Sequence, residues 1–206
     1  MIRRSALLAI LLFAAVSLAP CRSLAGEEGG GATAAGAAGL HISREDANRR
    51  YFTDLPVVTH EGNEVRFYSD LLKDRTVLIH FFYIRCTTVC PPALSRLTEV
   101  QKMLGERLGK DILLLSLNVD PGRDTPEAIR YYAKVFEPQQ GWLFVTGEKE
   151  DIAAINRKLG NIHPEPGSHL TVMLMGNLKT GHWIKMLPSA PASKIAETLL
   201  SLADEK

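Results

Sequence analysis

Two largely apolar runs in the middle of the chain, residues 76–83 and 112–119, dominate its hydrophobic pattern. Both are rich in β-branched, leucine or aromatic side chains and show too little polar alternation for half-exposed strands, so they predict buried strands. Between them, apolar residues recur at helical spacing from Leu94 to Leu108, directly after Pro91 and Pro92. The pattern therefore predicts a strand, a helix that begins near the two prolines, and a second strand.

Shorter apolar segments on either side of this unit predict the remaining elements. These are a hairpin of strands at 55–59 and 65–67 with its turn at 61–63, a helical turn at 68–72, a helix capped by Asp124 or Thr125, a strand at 142–145, a helix at 148–159, a second hairpin of strands at 170–175 and 182–186 with its turn at 176–177, and a terminal helix at 192–202. Strands that alternate with helices are typical of an α/β fold. We therefore expect a central mixed sheet flanked by helices, with an N-terminal hairpin.

The N-terminus has the pattern of an export signal. Two arginines at 3–4 precede an uncharged apolar stretch at 5–20, and small residues at 23 and 25 fit an export peptidase that cuts after Ala25. The stretch is shorter than the ~20 residues that a spanning helix usually needs. It could still remain uncut as a membrane anchor, and residues 18–21 partly resemble a lipoprotein box that would place a lipid on Cys21. We expect an exported, periplasmic protein, either free or anchored to the inner membrane.

The chain divides into three regions by composition. Residues 1–25 are the expected signal peptide or membrane anchor, and residues 26–45 include a Gly/Ala-rich tract without large apolar groups, which predicts a flexible tether. Residues 46–206 have the length and pattern of one domain.

Charge and cysteine content narrow the class of function. The formal net charge is +1, from 24 basic and 23 acidic residues, and this balance gives no indication of nucleic-acid binding. Cleavage after Ala25 would remove one of the three cysteines and leave Cys86 and Cys90. In an oxidising compartment a closely spaced pair tends to form a disulfide unless a reductant or a metal holds it.

Cys86 and Cys90 lie between the first buried strand and the following helix. A proline disfavours helical geometry in the residue before it, which places Cys90 just outside the helix at its N-terminus. Unpaired N–H groups and the helix dipole there would favour a thiolate on Cys90. The two sulfurs could share a metal ion or a disulfide, whereas scattered buried cysteines more often pack as small hydrophobes. A thiol pair at this position is typical of thioredoxin-like domains.

From Tyr51 to its end, the chain resembles the Sco/SenC proteins, thioredoxin-like copper chaperones of cytochrome oxidase assembly. The resemblance rests on the joint order of the segments at 67–72, 86–91, 119–126 and 168–169. It implies that the metal ligands are Cys86, Cys90 and His169. It also implies a partner, the copper-binding subunit of cytochrome c oxidase, with other periplasmic copper carriers or thiol reductants as further partners.

This implied ligand set agrees with simple coordination chemistry. Two thiolates and one imidazole suit Cu(I) and can also hold Cu(II). Three protein ligands fall short of a closed structural zinc site, although an open zinc site with water in the fourth position is an alternative. We expect copper as Cu(I) or Cu(II).

Other soft or basic side chains have simpler interpretations. His80, inside a predicted buried strand, is expected to be a core histidine, and Met173 and Met175 are expected to fill the core. His163, in the same loop as His169, is the reserve ligand.

Polar residues near the cysteines also have two interpretations each. Arg85 either supports a thiolate or faces solvent. A polar cluster or a partner surface is one interpretation of Asp120, Arg123 and Asp124, but roles in a turn and a helix cap already explain these residues.

Three functions fit the thiol pair. The first is a non-enzymatic metallochaperone, and the second is a thiol-disulfide oxidoreductase that acts on the copper-ligand cysteines of the target. The three residues between the cysteines favour the first, since oxidoreductases of this fold usually have two. The third is a thiol peroxidase, because residues 87–90 match the Thr-x-x-Cys part of a peroxiredoxin signature, although Tyr83 stands where its proline is expected.

Overall fold

The computed structural model describes residues 42–162, 167 and 171–206. The predicted signal and most of the predicted tether lie outside these residues, as do His163, Ser168 and His169. Along the chain the elements are α1 (Arg44–Phe52), β1 (Pro56–Thr59), β2 (Glu64–Arg66), a π-helical turn (Phe67–Leu72), β3 (Thr76–Phe82), α2 (Cys90–Leu104), a 3-10 turn (Gly105–Arg107), β4 (Ile112–Asn118), α3 (Pro126–Lys134), β5 (Trp142–Thr146), α4 (Lys149–Lys158), β6 (Met173–Asn177), β7 (His182–Met186) and α5 (Ala192–Ala203). No helix in this part of the chain is long and apolar enough to cross a membrane.

The strands form one mixed sheet in the order β2-β1-β5-β4-β3-β6-β7. The three middle strands, β5, β4 and β3, run parallel, while the hairpin β1–β2 and the hairpin β6–β7 extend the two edges in antiparallel pairing. The mixed sheet and the N-terminal hairpin agree with the prediction.

The predicted central strands are buried along their whole length. All seven residues of β3 and all seven of β4 are buried, as expected for parallel strands covered on both faces. Apolar residues of α2, α3 and α5 form the core on one face. The π-helical turn, α1 and α4 contribute to the core on the other face. This confirms the expected α/β arrangement with helices on both sides of the sheet.

Helix α1 was not predicted. It begins at Arg44, inside the range predicted as tether, and of its nine residues only Phe52 is buried. Ser43 caps the helix by accepting a hydrogen bond from the backbone N–H of Asp46 at 3.1 Å. Acidic residues in its first turn and basic residues in its last turn complement the helix dipole. Local capping and charge therefore stabilise a helix that an apolar pattern does not indicate.

The predicted turn at residues 176–177 is wrong. Strand β6 continues through Gly176 to Asn177, and Asn177 then accepts hydrogen bonds from the N–H groups of the turn at 178–181. Gly176 lies opposite Trp183 of β7. The indole ring covers the space of the missing side chain, since a Cβ on Gly176 would lie 2.3 Å from Cδ2 of Trp183. The ring of Phe52 packs against the same indole at 5.3 Å.

We expect Gly176→Ala to lower the free energy of unfolding by about 1–3 kcal/mol, because the added methyl group forces the indole of Trp183 away from the strand. Urea denaturation followed by tryptophan fluorescence measures the change. Gly122→Ala is the matched control, since a Cβ there meets no atom within 4 Å, and it should change stability by no more than about 0.5 kcal/mol. Equal stability of the two variants would contradict the close packing of Trp183 on Gly176.

Candidate metal centre

The two cysteines lie close together where β3 ends and α2 begins. Cys90 is the first residue of α2, one residue further into the helix than predicted, and prolines follow it in the first turn. Cys86 and Cys90 are 4% and 0% exposed, and neither is part of a disulfide within the described residues. The backbone N–H of Cys90 donates a hydrogen bond to Sγ of Cys86 at 3.3 Å. The site is thus a buried thiol pair in which the backbone N–H of one cysteine, at the start of the helix, bonds to the sulfur of the other.

The expectation that the helix N-terminus favours a thiolate on Cys90 is wrong. Burial raises the pKa of Cys90 well above its usual range, and its hydrogen bond to Cys86 raises the pKa further. Burial also acts to raise the pKa of Cys86, but hydrogen bonds from the Cys90 thiol and from the backbone N–H groups of Cys90, Thr88 and Val89 outweigh it and lower the pKa. Cys86 is therefore the first of the pair to become a thiolate as pH rises.

Tyr83 borders the pair on the strand side. Burial raises the pKa of its phenol, and the charge and hydrogen bond of Cys86 raise the pKa further. The hydroxyl therefore remains a donor at neutral pH and lies against the Cys86 sulfur. Gly167, in the loop between α4 and β6, also lies beside this hydroxyl: a Cβ on Gly167 would lie 3.9 Å from it.

A buried carboxylate fixes the loop that carries Cys86. Asp124 is 3% exposed. It accepts hydrogen bonds from the backbone N–H of Ile84 at 2.9 Å and from the side-chain amide of Asn118 at 2.8 Å. Asn118 ends β4, and its side-chain oxygen accepts a hydrogen bond from the backbone N–H of Asp120 at 3.2 Å. Asp124 thus ties the loop after β3 to the loop after β4.

The sequence did not predict this role of Asp124. Thr125, not Asp124, caps α3, through a hydrogen bond of 3.2 Å from the backbone N–H of Ala128. One feature of the sequence could have indicated it: a second acidic residue stands four residues after Asp120, in a segment that follows a buried strand. Because Thr125 can cap the helix by itself, the second acid was the one without a necessary local role.

Arg85 forms an ion pair with a largely buried carboxylate. Its guanidinium lies 3.2 Å from the carboxylate of Asp120, which Arg123 also approaches at 3.7 Å. Both arginine side chains are more than half exposed, whereas the side chain of Asp120 is 11% exposed. Arg85 therefore orders the outer surface of the loop through Asp120.

A cavity of about 360 Å³ lies beside the cysteine loop. Thr88, Val89 and Pro92 form one wall, and the segment at 187–189 after β7 forms another. Arg96 at this cavity donates a hydrogen bond to the carbonyl oxygen of Pro188. The lining is mainly apolar, so the loop borders a recess that favours apolar contact.

The other candidate side chains are in the core or outside the described residues. His80, Met173 and Met175 are buried, as predicted. His163 and His169 lie outside the residues that the structure describes. Within those residues, no three His, Cys, Asp or Glu side chains form a group that could hold a metal ion.

The fold and the thiol pair define the class of this protein: a thioredoxin-like domain whose Cys-x-x-x-Cys segment joins a central strand to the next helix. The family model described as SCO1/SenC matches residues 44–174, which is more than half of the chain. The chain belongs to the SCO1/SenC family.

Individual relatives agree with this assignment. The SCO2-like protein of Rickettsia conorii is 36% identical over 92 residues, which are 45% of this chain and 43% of that protein. The chain thus matches less than half of the length of this curated relative.

Solved structures share the fold at lower identity. A SCO1/SenC family lipoprotein from Bacillus anthracis has a TM-score of 0.61 at 24% identity, and the match covers 73% of this chain and 93% of that one. Copper-bound ScoI of Bradyrhizobium japonicum has a TM-score of 0.59 at 22% identity, with 71% and 96% covered. BsSco, described as a member of the Sco family of cytochrome c oxidase assembly proteins with a disulfide switch, has a TM-score of 0.59 at 23% identity, with 74% and 92% covered.

We expect Asp124→Ala to lower the free energy of unfolding by about 1–3 kcal/mol, because it removes the acceptor of the Ile84 N–H and of the Asn118 amide. Chemical denaturation measures this change. The matched control is Arg123→Ala, which removes the more distant of the two arginines beside Asp120 and leaves Arg85 in place, so it should change stability by less than about 0.5 kcal/mol. Equal effects of the two substitutions would argue against the role of Asp124 in fixing the loop.

We expect iodoacetamide to modify Cys86 before Cys90 in the reduced, metal-free protein, because hydrogen bonds lower the pKa of Cys86 and burial raises that of Cys90. Peptide mapping by mass spectrometry at several times near neutral pH measures the order. Cys90→Ser should retain the fast reaction and Cys86→Ser should lose it. Faster modification of Cys90 would reverse the proposed order of the thiols.

Proposed function

We propose that this chain is an exported copper metallochaperone. It binds one copper ion through Cys86, Cys90 and His169 and passes it to the copper-binding subunit of cytochrome c oxidase by ligand exchange. The observation that carries the proposal is the buried, hydrogen-bonded thiol pair at the start of α2 in a member of the SCO1/SenC family.

The donor atoms fit copper. Two adjacent sulfur atoms prefer a soft ion such as Cu(I), and a third, imidazole donor allows Cu(II) as well. A closed structural zinc site takes four protein ligands, one more than this set supplies. Since the pKa of Cys90 is raised, copper must displace its proton on binding, and affinity should rise with pH.

The comparisons support copper as the cargo. The ScoI protein of Bradyrhizobium japonicum has been solved with copper bound. BsSco is described as belonging to a family of cytochrome c oxidase assembly proteins. We extend both descriptions to this chain, with the oxidase subunit as its acceptor and other periplasmic copper carriers or thiol reductants as further partners.

Chain connectivity supports His169 as the third ligand. His169 is two residues from Gly167 and two from Thr171, and two residues span at most ~7 Å. Gly167 lies beside Tyr83, whose hydroxyl contacts Cys86. Thr171 lines the same cavity as Thr88 of the cysteine loop. His163 directly follows Ile162, whose side chain is exposed, and is four residues from Gly167, so connectivity does not tie it to Tyr83 in the same way; it remains the reserve ligand.

Export fits this function. Residues 1–25, a signal peptide or membrane anchor, and the tether at 26–45 would hold residues 46–206 in the periplasm, free or at the inner membrane. A Bacillus anthracis relative of the same fold is a lipoprotein, which supports membrane attachment, with Cys21 as the residue that a lipid would modify.

A second candidate function is thiol-disulfide exchange, and the unequal thiols favour it. The Cys86 thiolate would attack a disulfide of the target and release one target thiolate, and Cys90 would then attack the mixed disulfide and release the second. This reaction leaves the pair oxidised and needs an external thiol reductant to restore it. A thiol peroxidase that uses Cys90 is less favoured, because burial raises the pKa of that thiol.

We expect the reduced soluble domain to bind one copper ion, and Cys86→Ser, Cys90→Ser and His169→Ala each to weaken binding, the cysteine variants for Cu(I) and the histidine variant mainly for Cu(II). Loss of a ligand should exceed the roughly 10–100-fold effect of losing a group that only supports a ligand. Titration against a competing chelator measures each affinity.

His163→Ala is the matched control for His169→Ala, because it removes an imidazole from the same loop. It should bind copper as the unchanged protein does. If His169→Ala bound Cu(II) normally and His163→Ala bound it weakly, His163 would be the third ligand and His169 would not. Absence of copper binding, with disulfide reduction that needs only the two cysteines, would replace the chaperone by the oxidoreductase.

A further inference from the structure

A groove of about 560 Å³ lies between α1, the end of α4 and the hairpin β6–β7. Its floor is apolar: Leu174 lines it, and Phe52 packs against Trp183 with ring centroids 5.3 Å apart. These three residues belong to the side of the sheet that α1 and α4 cover. Cys86 and Cys90 belong to the core cluster on the other side. The groove is therefore separate from the thiol site.

Three cations line this groove, and among the described residues no carboxylate does. They are Arg157 and Lys158 in the last turn of α4, and Lys185 of β7. All three side chains are exposed, and none forms an ion pair within the described part of the chain. The dipole of α4 accounts for two of them, but Lys185 lies on a strand. The groove thus presents positive charge that no acidic group beside it neutralises.

Tyr51 adds an aromatic ring to the rim of the groove. Its side chain is 56% exposed and lines the groove. The ring packs edge-to-face against Phe52, with centroids 4.8 Å apart, so it is held beside the apolar floor. An exposed aromatic ring next to lysine and arginine is typical of surfaces that lie at a membrane interface, where the ring enters the headgroup region and the cations meet lipid phosphates.

The connectivity of the chain favours a membrane as the partner of this groove. Helix α1 lines the groove and directly follows residues 26–43. This segment is largely Gly and Ala, and a Gly-rich chain of about 18 residues has a root-mean-square end-to-end distance of about 25 Å. If residues 1–25 stay as an anchor, or Cys21 carries a lipid, α1 and the groove beside it are held close to the bilayer.

We propose that this groove is a membrane-contact surface. Arg157, Lys158 and Lys185 bind the headgroups of anionic phospholipids, and Tyr51 enters the interface beside them. The surface contains no residue of the thiol site, so the inference does not depend on copper binding, and its test needs no metal.

The test uses the chain from Gly26, the form expected after cleavage, and vesicles of equal parts phosphatidylethanolamine and phosphatidylglycerol. We expect the protein to sediment with these vesicles at low ionic strength, to dissociate at high salt, and to ignore neutral phosphatidylcholine vesicles. Replacing Arg157, Lys158 and Lys185 together by Gln should lower the partition coefficient at least tenfold, because each cation near an anionic surface contributes roughly fivefold.

The matched control removes the same charge from the other side of the sheet. Lys102, Lys134 and Lys194 are exposed residues of α2, α3 and α5, which cover that side. Their combined replacement by Gln should leave binding nearly unchanged. An equal loss in the two triple variants would trace binding to net charge and overturn the inference, as would equal binding to the neutral vesicles.

Trp183 reports which surface meets the lipid. It lines the groove, whereas the second tryptophan, Trp142, is 0% exposed and lies in the core cluster on the other side of the sheet. Brominated phosphatidylglycerol should therefore quench the fluorescence of the bound protein, and Trp183→Phe should abolish this quenching. Sedimentation without quenching would place the lipid on another surface and overturn the inference.

Two further outcomes would assign the groove to a different occupant and overturn the inference. If the unchanged chain fails to bind anionic vesicles and the double variant Glu27→Gln/Glu28→Gln binds them, the acidic start of the expected tether occupies the groove. If a polyglutamate peptide binds and the vesicles do not, the groove serves an acidic protein.

Discussion

Burial of β3 and β4 on both faces of the sheet is the constraint on which the site depends. Because the two strands are parallel and in register from Thr76 to Phe82, their carboxyl ends meet at one edge, with Phe82 opposite Asn118. The loop that carries Cys86 and the loop that carries Asp124 are therefore neighbours. The carboxylate of Asp124 then joins them, with donors from both loops. Hydrophobic burial thus places the site, and a few buried hydrogen bonds shape it.

The unequal thiols follow from where each sulfur stands relative to the helix. A side chain just before a helix can accept hydrogen bonds from the first N–H groups, whereas a residue inside the first turn carries its side chain away from them. The sulfur of Cys86 lies before the helix and accepts such a hydrogen bond, although the N-cap residue itself is Val89. Cys90 lies inside the first turn, and apolar neighbours enclose its sulfur. Helix geometry and burial together separate two chemically identical groups.

The sequence predicted the parts of this molecule that depend on apolar pattern. It predicted β3, β4, the helix between them and the thiol pair at their junction, since buried parallel strands leave long apolar runs. It did not predict α1, whose stability comes from a cap and from charge. It placed a turn at Gly176, because glycine usually indicates a turn, and the contact that favours a strand there comes from the indole of Trp183 on another strand. The roles of Asp124 and of the two thiols depend on which groups meet in three dimensions. The ligand role of His169 stays a prediction, because that residue lies outside the described part of the chain.

In the loop between the cysteines, the backbone and the side chains have different roles. Its peptide N–H groups at Thr88 and Val89 face the Cys86 sulfur, while the side chains of Thr87, Thr88 and Val89 are exposed. Every residue except proline supplies the same N–H group. Evolution can therefore vary these three side chains, and with them the surface that a partner meets, while the chemistry of the sulfur remains the same.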